Sequence, residues 1–384
     1  MSRPAPIPPA KHVAGEDFLG SIEKHHLVYF LLNVGDADQQ LLLLPEDPNG
    51  RRRVIVVDVA KTDQTEKLIS VLEQAGLVGP EPAGDEPDGS IALVVATHPH
   101  SDHIGGMSQF LASQKKRVAE FWDPGYYHTT NAYNRMMAEI EANKFLAYAQ
   151  PTAGLRKWIG SALVTVLSPS VQLRNRFDTY GTELNDSSIS LRVEFPAARV
   201  VKRANGSREL IDEPNTTALI LGGDAQTLSW AFVETDFPQL HTQDNEAARA
   251  IQAGTGSDPL KAKVFKVSHH ASKKGVNLEL VERINPNLML VSSTGDGPKH
   301  HFPHSLAQEA LREAKDQIAG DGGQRTLADW ELNILYTADT ESGPAEPPLG
   351  SIAVVMGKGA ATVWRFGDDT DAIPDLGQGR KFVP

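Results

Sequence analysis

The sequence predicts a layered α/β domain that gathers a metal site at one edge, and three observations support this. Apolar or β-branched runs of strand length alternate with amphipathic helical stretches along most of the chain. Strands far apart in sequence end in potential ligands, at His98, at Asp224 and at His269-His270. In layered α/β folds, functional groups collect at one edge of the sheet. Finally, 384 residues with 40% hydrophobic content are enough to bury a large core.

The elements follow in order. Residues 1–10 are Pro-rich and lack the apolar centre of a secretory signal, so residues 1–24 are expected to form a mobile tail. Residues 26–35 are strand-like, Asp36-Ala37-Asp38 makes a turn, and residues 41–44 and 53–58 complete an opening β-meander across the Pro48-Asn49-Gly50 turn. A helix over 65–75 places Leu68, Val71 and Leu72 on one face. The acidic loop 84–89 then feeds a buried strand at 91–96.

Thr97-His98-Pro99-His100-Ser101-Asp102-His103-Ile104-Gly105-Gly106 follows directly. In extended backbone His98 and His100 point the same way and can grip one ion, while Asp102 and His103 can hold a second as the chain turns. A histidine-rich surface loop is the alternative reading, and the buried strand just before the motif counts against it. The chain has no cysteine, so the donors are nitrogen and oxygen, which suit zinc, manganese or iron.

A helix over 104–111 should begin at the motif, with Gly105-Gly106 letting backbone approach the site. Residues 118–122 form a strand. Residues 126–160 carry aromatics in a largely helical pattern, Tyr133, Met136, Ile140, Phe145, Tyr148 and Trp158 among them. They read as an insertion that caps the site or as an ordinary packed helical pair. Strands follow at 163–169, 188–195 and 217–221, with a polar hairpin-like excursion at 197–214 and mixed helix and loop at 237–259. The strand at 263–268 delivers His269-His270. A helix ends at 281–284, a strand at 287–293 runs toward His300-His301-Phe302-Pro303-His304, and an amphipathic helix covers 305–319. Residues 350–355 and 361–365 make a closing hairpin.

A net charge of −12 argues against a broad nucleic-acid-coating surface. Of the basic clusters, only Lys273-Lys274 lies near the chemistry in sequence. No apolar run approaches the roughly 20 residues of a membrane span, so no membrane association and a cytoplasmic location are expected. Nothing in the pattern fixes an oligomeric state.

His98-Pro99-His100-Ser101-Asp102-His103 with Gly105-Gly106 resembles the signature of metallo-β-lactamase-fold hydrolases, a four-layer αββα sandwich. More narrowly, the chain looks like the soluble domain of the ComEC/Rec2 group of competence proteins. Residues 30–38 with Asp58 are similar to that group's opening strand, Gly-Asp turn and Ile-Asp strand. Asn185-Asp186-Ser187-Ser188 resembles its Asn-x-x-Ser segment, and Leu221-Gly222-Gly223-Asp224-Ala225 its Gly-Asp-Ala element. Lys266-Val267-Ser268-His269-His270-Ala271-Ser272-Lys273 resembles its Lys-Val-x-His-His-Gly-Ser segment. Two positions depart from the pattern: Ala271 stands for Gly, and the late His-Pro pair appears as Phe302-Pro303-His304 after His301. The channel domains of competence proteins are missing, which reads as a stand-alone relative.

The resemblance implies a hydrolase domain over 25–320 with the insertion at about 126–160, and an extension over 321–384 whose hairpin completes the sandwich. It implies one or two Zn2+ or Mn2+ ions: His98 and His100 on the first, Asp102 and His103 on the second, Asp224 bridging, and either His269 or His270 completing the set. The wider fold supplies one more histidine before the bridging Asp. Here only His128 lies in that stretch, too early, so Asn185 or Asp186 is the candidate substitute and a mononuclear site is an alternative. Two such ions would share a water, lower its pKa and stabilise charge on a phosphoryl or acyl oxygen. Asp102 or Asp224 would orient that water, His301 or His304 would protonate the leaving group, and Asn185, Ser272 and Lys273 would contact substrate. The implied activity is a phosphodiesterase or nuclease acting on nucleic acid or a nucleotide. The alternatives are an acyl hydrolase for a lactone, thioester or β-lactam, a di-iron redox protein, and a non-catalytic scaffold.

Overall fold

The computed structural model describes the chain except residues 1–11, 15–16, 48, 81, 83, 85, 175–182, 198, 204, 212–215, 241–259, 294–300, 320–328, 338–349, 368–375 and 383–384. Its first sheet contains β1 (His12–Ala14), β2 (Leu27–Leu31), β3 (Gln39–Leu43), β4 (Val54–Val59), β5 (Ile91–Val95), β6 (Glu120–Trp122) and β7 (Ala147–Ala149). It also takes β17 (Ile352–Met356), β18 (Ala361–Arg365) and β19 (Arg380–Phe382), in the order β1-β19-β18-β17-β2-β3-β4-β5-β6-β7. The second sheet contains β8 (Arg156–Ile159), β9 (Ala162–Ser168), β10 (Ser190–Phe195), β13 (Thr217–Leu221), β14 (Val264–Lys266), β15 (Leu288–Val291) and β16 (Ile334–Tyr336), in the order β16-β15-β14-β13-β10-β9-β8. The 197–214 excursion is a separate ribbon of β11 (Arg199–Lys202) and β12 (Arg208–Ile211).

The two-residue period of β4 shows why the fold has four layers. Val54 and Val56 join the core beneath helices α1 (Thr62–Gln74), α2 (Ser101–Ile104), α3 (Met107–Ser113) and α4 (Asn131–Ala142), whereas Ile55 and Val57 join the core between the sheets. A strand covered on both faces is apolar throughout, as β4 and β5 are. The second sheet does the same on its far side. Leu219 and Leu221 face the first sheet, and Ile220 packs with residues of α6 (Thr227–Leu240), α7 (Leu278–Ile284) and α8 (Ser305–Ala319). This is the αββα sandwich expected. A short α5 (Val171–Arg174) follows β9.

Several expectations are corrected. Residues 12–14 and 17–22 do not form a tail: β1 pairs with β19, and Phe18 is fully buried 5.9, 5.3 and 5.1 Å from the rings of Phe30, Trp364 and Phe366. A three-residue strand whose partner lies at the far end of the chain leaves no local periodicity to read. Residues 1–11 lie outside the described residues. The stretch 126–160 is helical only in α4, and its second half supplies β7 and β8, the terminal strands of the two sheets. Tyr148 and Trp158 therefore sit on edge strands, too short for alternation to distinguish them from helix.

The motif helix is also broken. α2 starts at Ser101, and the chain steps at Gly106, whose N–H donates to the Val59 carbonyl at 2.9 Å and whose carbonyl accepts from Thr62 Oγ1 at 2.6 Å. A Cβ at Gly106 would lie 2.6 Å from the Thr62 nitrogen, so only glycine permits this contact. In the C-terminal segment, β16 extends the second sheet, and β17 pairs with β18 and with β2 in the first.

Candidate metal centre

His98 leaves the end of β5, and the first turn of α2 carries Asp102 and His103. Asp224 and the His269-His270 pair leave β13 and β14, which are parallel neighbours in register at Leu221 and Lys266. His269, His270 and Ala271 have φ of 50°, 51° and 60°, the left-handed region, and this run sends the two imidazoles to different sides of Asp224. Ala271 occupies the position where the sequence pattern expects glycine, and its φ explains that expectation.

Asp224 divides the cluster. Its Oδ1 lies 3.3 Å from His103 Nε2 and 3.8 Å from His270 Nε2, while its Oδ2 lies 3.6 Å from both His98 Nε2 and His269 Nε2. Asp102 Oδ2 stands 3.8 Å from His103 Nε2 and from His270 Nε2. On the other side His98 Nε2 and His100 Nδ1 are 2.9 Å apart.

The donor set fits a cation. One donor atom from each of Asp102, His103, Asp224 and His270 lies within 4.8 Å of the others. His103 Nε2, His270 Nε2 and Asp224 Oδ1 are buried without a hydrogen-bond partner. Leaving a buried polar atom unpaired costs about 1–3 kcal/mol, so a convergence of such atoms calls for a ligand. The far nitrogens of the rings are fixed. His103 Nδ1 contacts Asp58 Oδ2 at 2.8 Å, and Asp58 itself accepts from the Thr97 N–H and Oγ1, each at 2.8 Å. His270 Nδ1 lies 2.9 Å from the Ser292 carbonyl, which can only accept, so this nitrogen carries the hydrogen and Nε2 faces the cluster with its lone pair.

Electrostatics agrees with this fit. Burial pushes the pKa values of His98, His100 and His269 down, leaving neutral rings with available lone pairs. Burial opposes ionisation of Asp224, but His103, His269 and His98 outweigh it and hold the carboxyl well below its ordinary range. Asp102 is likewise held low, against burial, by His270 and His103. His103 and His270 shift upward against burial, the first through Asp224 and Asp58, the second through Asp102 and Asp38. The cluster stabilises positive charge on Asp224's Oδ1 side.

Residues 49–179 match the family model described as the metallo-beta-lactamase superfamily. Over that segment the chain is similar to the metallo-β-lactamase superfamily. No curated protein matches the sequence. Among solved structures it is similar to the metallo-beta-lactamase fold protein YhfI from Bacillus subtilis, at 11% identity over 75% of this chain and 92% of that one, with a TM-score of 0.37. It is similar to CmlA, a diiron beta-hydroxylase from Streptomyces venezuelae, at 11% identity over 77% of this chain and 52% of that one, with a TM-score of 0.37. It is also similar to the short form of human tRNase Z, at 11% identity over 70% and 92%, with a TM-score of 0.34.

The fold brings His98, His100, Asp102, His103 and Asp224 together, and it places both His269 and His270 beside Asp224 where the sequence offered one or the other. Asn185 lies against His269, with its Nδ2 3.2 Å from Nε2 and its Oδ1 buried without a partner. Asp186 is occupied elsewhere, its Oδ2 accepting the Glu183 N–H at 2.9 Å. His128 lies beside His100, with ring centroids 5.9 Å apart.

The expected phosphate contacts are only partly present. Ser272 is buried and accepts the Lys274 N–H at 3.3 Å, Lys273 is exposed, and Lys274 Nζ pairs with Glu183 Oε1 at 2.5 Å. His304 Nδ1 accepts the Leu306 N–H at 3.3 Å at the start of α8. His301 is exposed, next to Phe302, whose ring stacks on His270 at 5.5 Å.

Sequence reasoning assigned no role to Asp38, Asp58, Lys266, Ser292 or Phe302. One of them left a signal: Lys266 is a single charge in the otherwise apolar run Val264-Phe265-Lys266-Val267. Among the described residues, no helix is long and apolar enough to cross a membrane.

Proposed function

We propose that this protein is a metal-dependent hydrolase that cleaves phosphodiesters of a nucleic acid or nucleotide, and that within the superfamily it is related to the competence-protein group whose motifs it resembles. One observation carries the reading: Asp224 offers a separate oxygen to each of two donor groups, Asp102, His103 and His270 on one side, His98 and His269, with His100 beside them, on the other. A pair of zinc or manganese ions held there supplies water ionised near neutral pH and charge stabilisation for the attacking and leaving oxygens of an in-line displacement. The chain's own residues do the rest. Asp58 and Ser292 fix the tautomers of His103 and His270. Asp102, with its side chain 39% exposed, is the carboxylate at the solvent side of the cluster and accepts a proton from incoming water. His301 is the exposed imidazole beside Phe302 and is available to protonate the leaving alkoxide. Lys273 offers its ammonium to a substrate phosphate.

Acyl hydrolysis is the second reading, favoured by one observation: Glu183 engages Lys274 and leaves less positive charge for a phosphate. Assays of the metal-loaded wild type on bis-p-nitrophenyl phosphate, single-stranded DNA and a lactone separate the two. Phosphodiester cleavage is expected, lost in Asp102→Ala by a factor on the order of 10²–10⁴. Lactone opening with no phosphodiester cleavage overturns the first reading.

A further inference from the structure

Lys266 is fully buried at the end of β14, and its ammonium pairs with Oδ2 of Asp38, itself fully buried. The other oxygen of Asp38 has no hydrogen-bond partner and lies 3.8 Å from His270 Nδ1. The backbone N–H of Asp38 donates to the Asp102 carbonyl at 3.1 Å. Ser292 closes the circuit: its carbonyl contacts His270 Nδ1, and its Oγ donates to the Ala37 carbonyl. The turn at residues 37 and 38 is thus tied to Asp102 and to His270, two of the four donors on the Oδ1 side of Asp224. His98, His100 and His269 are held instead through Asp224, one another and Asn185.

A buried ion pair is a poor device for stability, because desolvating both charges offsets their attraction. The pair has a better account in the site. Asp38, Asp58 and His103 present donor atoms within 4.8 Å of one another, a second, fully buried group able to attract a cation behind the first. The Lys266 ammonium already supplies a fixed positive charge there.

We propose that the Asp38–Lys266 pair is a positioning device for one half of the metal centre. Lys266 pins the turn at residues 37 and 38, the turn holds the Asp102 backbone directly and His270 through Ser292 at the spacing one ion needs, and the ammonium keeps divalent ions out of the Asp38–Asp58 group. The proposal rests on the cluster being a metal centre and adds a difference between its two halves: Asp58 contacts His103 directly, whereas Asp38 acts on His270 by its charge at 3.8 Å and through the Ala37–Ser292 link.

Full-length protein, stripped of metal and titrated with Co2+, tests this through bound-metal analysis and the visible ligand-field spectrum. The wild type binds two ions. D38N/K266M, which removes both charges together and avoids a stranded one, keeps the wild-type circular dichroism and binds one ion as before. It binds the other about 10- to 100-fold more weakly, with a changed ligand-field band. Adding His98→Ala to each protein identifies the weakened ion, because the half that contains His270 is then the stronger one left. Asp38→Asn alone, which preserves side-chain volume, gives the same selective loss if the double variant folds poorly. Two ions bound by D38N/K266M and by Asp38→Asn with wild-type affinities and spectrum overturn the positioning role and leave the metal centre standing. A wild type that binds no Co2+ overturns both.

Discussion

Asp224 is the residue on which the site turns, because one carboxylate faces four imidazoles and each of its oxygens has its own pair. An amide at this position keeps the volume but gives up the charge and replaces one acceptor with a donor. Asp224→Asn is therefore expected to weaken both ions rather than one, by a factor of at least about 100, since a ligand is lost outright where outer contacts alone are worth about 10–100. Metal analysis after gel filtration reads this directly. A variant that keeps one ion at full affinity shows that Asp224 does not bridge. At this scale the sequence was informative where ligands were neighbours: His98, His100, Asp102 and His103 lie within one short motif, and their chemistry is visible in their spacing. It was silent where a contact depends on backbone handedness or distance. That His269 and His270 serve opposite oxygens of Asp224 follows from φ values of 50° and 51°. That Lys266 answers Asp38 requires a contact across 228 residues.

At the scale of elements, continuous apolar strands such as β4 and β5 and helices with a long amphipathic period such as α1 and α8 were legible. Elements of three or four residues were not, because β1, β7 and β8 are too short to display a period and are defined by their partners. One helix offers a test unconnected with the metals. Lys315 on α8 is buried and reaches the Pro286 carbonyl just beyond α7, and burial lowers its pKa from 10.5 to about 8. Below about 8 the lysine is charged in both the folded and the unfolded protein, and the folded state bears the full cost of burying that charge. Between about 8 and 10.5 the folded protein has released the proton while the unfolded chain still holds it, so this residue's contribution to stability rises with pH. Lys315→Met lacks the effect. Denaturant midpoints at pH 7 and pH 10 should show the wild type gaining on Lys315→Met at the higher pH. A constant gap means that the ammonium is solvated in the folded protein.

Across the whole molecule, the centre is a seam between the two sheets. His98 and the α2 residues Asp102 and His103 extend from the edge of the first sheet, while Asp224, His269 and His270 extend from the second. Both sheets also draw strands from the last fifty or so residues, so neither closes without the C-terminal segment. An ion bound at the seam would add a cross-link between two layers already joined by side-chain packing, the Asp38–Lys266 pair and the Ser292–Ala37 hydrogen bond. It binds the folded chain and has no preformed site in the unfolded one, so it stabilises the fold by mass action, about 2.7 kcal/mol at a free concentration 100 times the dissociation constant. Thermal melts of the metal-depleted protein are expected to move up by several degrees with Zn2+ or Mn2+ and back down with a chelator. The shift should disappear in Asp224→Asn, whose single side-chain oxygen no longer joins the two halves. An equal shift in that variant would mean that the ion stabilises the protein from elsewhere, for example from the Glu23, His25 and His26 group near the surface, and that the seam between the sheets holds without it.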